Sequence, residues 1–284
     1  DKVIEKIERL VLQNSLSSKT TQKTIHKVNE TSQQVEDLVA IEAPLEIRIK
    51  RQSDLMGKSV AVTMRTPGND EELALGFLFT EGILRDFNEV IEVTELEENV
   101  VEVIVQKAAA INLSQSDRNF YTTSSCGVCG KASIDAIQVD SSFSLFGDIP
   151  TVSKQVLFHL QETLQKEQSA FEATGGIHAA ALFDIKGKLL ELRADVGRHN
   201  ALDKLIGTAW KNGQIPMSNH LLLLSGRASF ELVQKASMAG IPIIAAVGAP
   251  SSLAVELAEE HRHTLVGFLK SDRFNIYSGH ERIE

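Results

Sequence analysis

The sequence predicts an α/β protein, a layered C-terminal half preceded by a smaller α+β region. Three observations carry this. Strands and helices alternate from residue 177 to 268. The apolar runs Leu221 to Leu224 and Ile241 to Val247 suit strands covered on both faces, and the helices between them imply parallel crossovers. Upstream, apolar residues alternate with polar ones, the pattern of strands with one face in water.

In chain order, residues 1–40 read as a mobile leader. A short amphipathic stretch around Ile4, Ile7 and Val11 gives way to residues 14–35, rich in Ser, Thr, Gln and Lys. Residues 41–149 form the N-terminal α+β region. Leu45, Ile47 and Ile49 mark a strand after Pro44, and Val60, Val62 and Met64 mark a second that ends at the turn Thr66-Pro67-Gly68. The helix that follows has Asn69 or Asp70 as its cap, Glu71 and Glu72 at its positive end, and Leu73, Phe77 and Leu78 on its apolar face. A strand from Val100 to Val105 precedes the loop Ser124 to Lys131, which closes the region.

Residues 150–284 form the C-terminal α/β domain. It opens with a helix from 153 to about 168, capped by Ser153 and apolar along Val156, Leu157, Leu160 and Leu164. Strands 177–183 and 188–192 follow, then helix 198–211, strand 220–225, helix 229–239, strand 241–247, helix 251–262 and strand 264–268.

Composition narrows the function classes. A chain of 284 residues with 43% hydrophobic and 24% charged residues can bury a core. No run approaches the roughly 18 apolar residues of a membrane span, so no membrane role is expected. The charged start Asp1 to Lys6 lacks a secretory apolar core, and the only two cysteines are too close together for a structural disulfide framework, so cytoplasm is the expected compartment. A net charge of −9 argues against nucleic acid as a partner, while leaving room for a local basic site that takes a phosphate.

Chemistry-bearing residues fall into four groups. Cys126 and Cys129 sit in Ser124-Ser125-Cys126-Gly127-Val128-Cys129-Gly130-Lys131, where small neighbours leave the sulfurs approachable and Lys131 favours a thiolate. Such a pair serves a zinc site, a dithiol couple or a sulfur carrier. The second group joins Thr174-Gly175-Gly176-Ile177-His178 to Asp195-Val196-Gly197-Arg198-His199-Asn200. Its paired glycines admit a ligand, and Arg198 at a helix start suits an anion, although His178 is equally readable as a core histidine and Asp195 and Asn200 as helix caps. The third comprises two strand-to-helix loops, Ser225-Gly226-Arg227-Ala228-Ser229 and Gly248-Ala249-Pro250-Ser251-Ser252. Both should face the same side of the sheet, with amides available to phosphate or with Ser229 and Ser251 acting only as caps. The last is Arg273 followed by Phe274, Asn275, Ile276, Tyr277, Ser278 and Gly279, which reads either as a clamp for a flat heterocycle or as a tail folded on the core.

Together, Cys126-Gly-Val-Cys129-Gly, Thr174-Gly-Gly-Ile-His178, Asp195-Val-Gly-Arg-His-Asn200, Ser225-Gly-Arg227 and Arg273-Phe-Asn-Ile-Tyr277 resemble the FdhD family, sulfurtransferases that serve formate dehydrogenase. Pro44-Leu45, Met64-Arg65-Thr66-Pro67-Gly68 and Glu72 through Glu81-Gly82 resemble it too. The resemblance implies a cytidine-deaminase-like three-layer α/β/α core and a homodimer. It implies a carrier that accepts sulfane sulfur from a cysteine desulfurase and delivers it to the bis-guanine-dinucleotide molybdenum or tungsten cofactor destined for the formate dehydrogenase apoenzyme. Cys126 would be the persulfide residue and Cys129 its assistant or shield. Arg198, the two strand-end loops and Phe274 to Gly279 would hold the nucleotide ends, so that the C-terminal half is expected to bind GDP. A chaperone that binds the cofactor without turning over a persulfide is the alternative.

Two rivals fit less well. A zinc deaminase places His-x-Glu upstream of Pro-Cys-x-x-Cys, whereas here Ser125 stands in place of the proline, His178 lies downstream and Ala179-Ala180 follow it, so no tightly bound metal is expected. A thioredoxin-like oxidoreductase starts a helix with its pair after an early strand, whereas this pair lies deep in the chain after a polar segment.

Overall fold

A computed structural model describes residues 19–113, 150–167 and 176–284. The C-terminal half is built on a six-stranded mixed sheet of β7 (His178–Asp184), β8 (Leu189–Asp195), β9 (His220–Leu224), β10 (Ile243–Ala246), β11 (Thr264–Gly267) and β12 (Asn275–Ser278), in the order β12-β11-β10-β9-β7-β8. Strands β9, β10 and β11 are parallel, as the intervening helices require, and β7, β8 and β12 complete the sheet by antiparallel pairing. The turn from Asp184 to Lys188, with Gly187 at φ 84, joins β7 to β8.

Alternation along the strands sends side chains into two cores. Ala180, Leu182, Leu222, Leu224, Ile244 and Leu265 face one; Ala179, Ala181, Phe183, Leu221, Leu223, Ile243 and Val266 face the other. The second core is covered by α2 (Lys154–Glu167) through Leu157, Leu160 and Leu164, and the Ser153 hydroxyl caps this helix by accepting from the Val156 N–H at 3.3 Å. The first core takes α3 (Arg198–Lys211), α4 (Phe230–Met238) and α5 (Ser252–Glu260). This is the three-layer α/β/α arrangement. Each fully buried leucine contributes roughly 1.5–3 kcal/mol, so the sheet's apolar runs dominate its stability.

The first core extends into the N-terminal region. A four-stranded sheet of β3 (Ala43–Arg51), β4 (Lys58–Arg65), β5 (Val90–Glu97) and β6 (Val100–Val105), ordered β4-β3-β6-β5, lays Leu45, Ile47, Ile49, Val101 and Val103 into it, and α1 (Asp70–Thr80) adds Leu73 and Leu78. Helices α1 and α3 touch backbone to backbone: a Cβ on Gly76 would overlap the Asp203 carbonyl, and one on Gly207 the Glu72 carbonyl. Phe79 and Phe87 flank Trp210 at 4.9 and 5.3 Å between ring centres. The region drawn as 41–149 thus shares its core with the C-terminal half.

Three local expectations need correction. The pattern Val60, Val62, Met64 holds only at Val60, because a bulge between Ile47 and Arg48 shifts the β3–β4 register. Val60 and Ala61 both turn inward, Met64 is left 36% exposed, and Arg65 is 1% exposed. Neither Asn69 nor Asp70 caps α1 through its side chain. Asn69 occupies the left-handed region at φ 59, and the Asp70 carboxylate accepts from Arg65 Nε at 3.0 Å and Nη2 at 2.7 Å. Within the stretch read as a leader, β1 (Thr20–Val28) and β2 (Ser32–Ala40) form an antiparallel hairpin whose base closes where the Ile41 N–H donates to the Lys19 carbonyl at 2.9 Å. Most of its side chains are exposed, with Val28 at 73%. Among the described residues, no helix is long and apolar enough to cross a membrane.

Candidate functional site

Strands β9, β10 and β11 all end at one edge of the sheet. Because β7 runs antiparallel to β9, its first residue, His178, lies at that edge, opposite Asp195 at the end of β8. Helix α3 starts three residues later at Arg198. The structure therefore brings together His178, Arg198 and Ser225-Gly226-Arg227, which lie far apart in the chain. The rim so formed is where an open parallel sheet holds ligands.

Backbone hydrogen bonds stitch the rim. The Ser225 N–H donates to the Ala179 carbonyl at 3.0 Å, and its hydroxyl accepts from the Ala179 N–H at 2.8 Å. A Cβ on Gly226 would lie 3.3 Å from His178 Nδ1, so glycine lets the imidazole rest against the loop. The second loop runs alongside: Gly248 donates to the Gly226 carbonyl at 2.9 Å, Ala228 to the Ala249 carbonyl at 3.2 Å, and Ser251 to the Ala228 carbonyl at 3.0 Å. Both loops face the same side. Ser251 caps α5 by accepting from the Ala254 N–H at 3.3 Å, while Ser229 occupies the N-cap position of α4 without a side-chain cap bond. Three helix N-termini, those of α3, α4 and α5, meet the same rim and favour negative charge there.

Asp195 is spent internally. One carboxylate oxygen accepts from the Gly197 N–H at 2.8 Å and Asn200 Nδ2 at 3.1 Å, and the other from the Thr66 N–H at 3.0 Å, with Lys204 Nζ at 2.8 Å. Lys204 also donates to the Thr66 carbonyl at 2.8 Å, Asn200 to the Met64 carbonyl at 2.8 Å, and the Val196 N–H to the Thr66 hydroxyl at 3.1 Å. The Asp195 motif thus locks the N-terminal turn 64–66 beneath the rim. Burial pushes the Asp195 carboxyl above its ordinary range, against the opposing pull of Lys204, Gly197 and Asn200.

The rim itself is electropositive. Burial, and then the charges of Arg198 and His199, hold the His178 ring below its usual value, with Asp195 opposing. Among the described residues the buried Arg198 Nε has no hydrogen-bond partner, and Arg227 is exposed. His199 lies 3.7 Å from the Glu231 carboxylate. Burial alone would raise Glu231, but His199, its own N–H and Ser229 outweigh it and lower the carboxyl to about 2. A second buried knot, behind the rim, ties three helices: Lys235 of α4 donates to Asp203 of α3 at 2.9 Å, and to Thr80 at 2.8 Å and Glu81 at 3.0 Å at the end of α1.

The terminal segment divides between the two cores. Phe274 packs in the second, its ring 5.3 Å from that of Phe158, and Tyr277 packs against the first. They lie on opposite faces of the sheet and do not grip a single heterocycle between them. Asn275 and Ile276 are exposed on the edge strand β12, Ser278 donates through its hydroxyl to the His263 carbonyl at 2.8 Å, and Gly279 turns the chain at φ 68. Cys126, Cys129, Thr174 and Gly175 lie outside the described residues. Among the described residues, no three His, Cys, Asp or Glu side chains gather to hold a metal ion.

Sequence reasoning missed Lys204, whose role depends on a turn far away in the chain, and Phe268, read as the last residue of a strand. Phe268 follows β11 directly, 45% exposed at the rim. A large aromatic straight after the glycine that ends a short buried strand was the available signal.

Comparison with known proteins agrees with this architecture. The model of the FdhD/NarQ family matches residues 40–284. Sulfur carrier protein FdhD of Streptomyces avermitilis is 48% identical over 258 residues, covering 87% of this chain and 89% of that one. Its counterpart from Mycolicibacterium paratuberculosis is 49% identical, covering 87% and 92%, and that from Saccharolobus solfataricus is 43% identical, covering 87% and 91%. The crystal structure of a candidate formate dehydrogenase accessory protein from Desulfotalea psychrophila superposes with a TM-score of 0.73 at 22% identity, covering 94% of this chain and all of that one, a likeness of fold. With a family match over most of its length and relatives near half identity, the chain belongs to the FdhD/NarQ family.

Proposed function

We propose that this chain is a sulfur carrier for formate dehydrogenase maturation. It accepts sulfane sulfur on Cys126 from a cysteine desulfurase and passes it to the bis-guanine-dinucleotide molybdenum or tungsten cofactor bound for the apoenzyme, acting in the cytoplasm as a homodimer. The observation that carries this reading is the 43–49% identity, across 87% of the chain, to relatives named sulfur carrier proteins. In the first step the Cys126 thiolate attacks the terminal sulfur of the donor's persulfide. The new S–S bond forms as the donor's S–S bond breaks, the donor leaves as thiolate, and no net oxidation occurs. Onward transfer regenerates the Cys126 thiolate, and the client's metal supplies the two electrons that make the transferred atom a sulfide. Attack by Cys129 on the Cys126 persulfide would instead expel sulfide and leave a disulfide, so a working carrier keeps the two apart until transfer.

The rim supports the client-binding half of the proposal. Diphosphates need fixed donors and positive potential, and Arg198, Arg227 and three helix N-termini supply them on one side of the sheet. Intact-mass measurement after incubation with a cysteine desulfurase and cysteine tests the carrier step. A reversible gain of about one sulfur mass, lost in Cys126→Ala, is expected. Normal loading of that variant would remove Cys126 from the mechanism, and no loading of the parent would favour a chaperone without persulfide turnover.

A further inference from the structure

Among the described residues, Leu55 and Met56 are the most exposed large apolar side chains, at 96% and 82%, and they adjoin each other in the turn between β3 and β4. A lone apolar side chain in water needs no explanation. Two in succession on a fixed turn do. Before the pair, the Gln52 N–H donates to the Val105 carbonyl and the Asp54 N–H to the Arg51 carbonyl, both at 2.9 Å. The Asp54 carboxylate accepts in return from the Arg51 N–H at 3.3 Å and from the Ser53 hydroxyl at 3.2 Å. After the pair, Gly57 lies so close to Glu102 of β6 that a Cβ would overlap its carboxylate. The backbone is anchored on both sides while the two side chains stand almost wholly in water. Covering both would strengthen an association by well over tenfold, on the order of what two buried aliphatic side chains contribute.

Charge and position specify what covers the pair. Lys50, Arg51 and Lys58 flank the turn, with Asp54 the single acid between them, in a chain whose net charge is −9. The matching surface is therefore apolar at its centre and acidic at its border. Arg51 and Val90 both register with Val105, the last residue of β6, so residues 83–89 and 106–113 begin or end beside this turn. There the Gln106 N–H donates to the Glu89 carbonyl at 2.8 Å and the Asn112 N–H to the Ile83 carbonyl at 2.9 Å. The described chain stops at Leu113, and Cys126 follows within thirteen residues, a reach of at most about 45 Å. The rim stands at the other end of the same sheet. Strand β4 runs from Lys58, beside the turn, to Arg65, next to the Thr66 that Asp195 holds beneath the rim, a distance of about 24 Å.

We infer that the Leu55–Met56 turn is the docking knob for the persulfide donor, a cysteine desulfurase whose docking face carries an apolar pocket with an acidic border. This rests on the carrier step of the function proposed above. Donor and client then approach opposite ends of the N-terminal sheet, so that neither occupies the other's place, and the unbranched methionine adapts to the pocket it enters.

Sulfur loading of the full chain, followed by intact mass as the desulfurase concentration is raised, tests this, with glutathione persulfide as a second donor too small to need docking. In Leu55→Ser/Met56→Ser the desulfurase concentration for half-maximal loading rate should rise at least about tenfold. Loading from glutathione persulfide and the melting temperature should stay at the parent's values. The exchange Leu55→Met/Met56→Leu keeps the apolar surface and should load as the parent does. Arg51→Glu should need more desulfurase at low salt and approach the parent at high salt. A half-maximal concentration unchanged in the double serine variant would overturn the knob while the carrier step stands. Slower loading from both donors would mark the turn as a structural support and overturn it equally. So would a double serine variant that loads normally but no longer sediments with phosphatidylcholine and phosphatidylserine vesicles that hold the parent, an outcome that gives the turn to a membrane. A parent chain that the desulfurase does not load would bring down the carrier step and the knob together.

Discussion

Buried charges in this chain are structural before they are chemical. Asp195 and Lys204 face each other at 2.8 Å, both almost wholly out of water, and removing one partner strands the other. Asp195→Asn should therefore cost about 3 kcal/mol or more by urea unfolding, and adding Lys204→Met should recover most of the loss. His263 offers a pH test. Its Nδ1–H donates to the Ile241 carbonyl at 2.9 Å, its other nitrogen is buried with no hydrogen-bond partner among the described residues, and burial, then the charge of His261, hold the ring down to about 4 from 6.5. Because the unfolded chain takes the proton first, the stability gained from keeping this ring neutral is complete above pH 6.5 and is lost as pH falls toward 4. Between pH 7 and 5 the parent should lose about 2 kcal/mol that a His263→Gln variant does not, read from urea midpoints at the two pH values. At this scale the sequence was half legible. Asp195 and Asn200 were recognisable as helix-start residues, but their second duty, holding residues 64 and 66, depends on a contact that spans about half the chain and leaves no local mark.

Elements were legible where periodicity was unbroken. The buried runs of β9 and β10 and the apolar stripe of α2 each matched their expected form, because burial on a fixed face dictates the pattern. The failures have local causes. A bulge in β3–β4 exchanges the faces of β4, which a strict period of two cannot anticipate. The hairpin β1–β2 carries few apolar residues, so its composition imitates a linker while cross-strand pairs such as Thr24 with Glu36 and Lys23 with Asp37 line its faces. Since it buries little, it should contribute little to the core. Replacing residues 22–38 with Asn-Gly, a two-residue turn that the facing strands at Thr21 and Val39 accept, should shift the melting temperature by no more than about 2 °C. A larger drop in calorimetry would mean that the hairpin packs on the body in solution.

At the scale of the whole molecule, one core unites regions that the sequence divides. The inner faces of α1, β3 and β6 lie against α3 and the helices beside it, so residues 150–284 alone would expose the apolar surface that the first region covers. Expressed by itself, that segment should bind a hydrophobic dye and give poorly dispersed amide resonances, whereas the full chain should do neither. Convergence of the chemistry was legible as topology, since strands feeding helices in parallel must present their loops on one side. The same topology leaves an opposite edge with different duties. The Asp184 to Lys188 turn lies there, a strand's length from His178, and Lys186 and Lys188 point into solvent. An affinity handle inserted at that turn would moor the protein to a sensor chip in a single orientation, with every loop of the rim turned toward the flowing solution and none blocked by the surface.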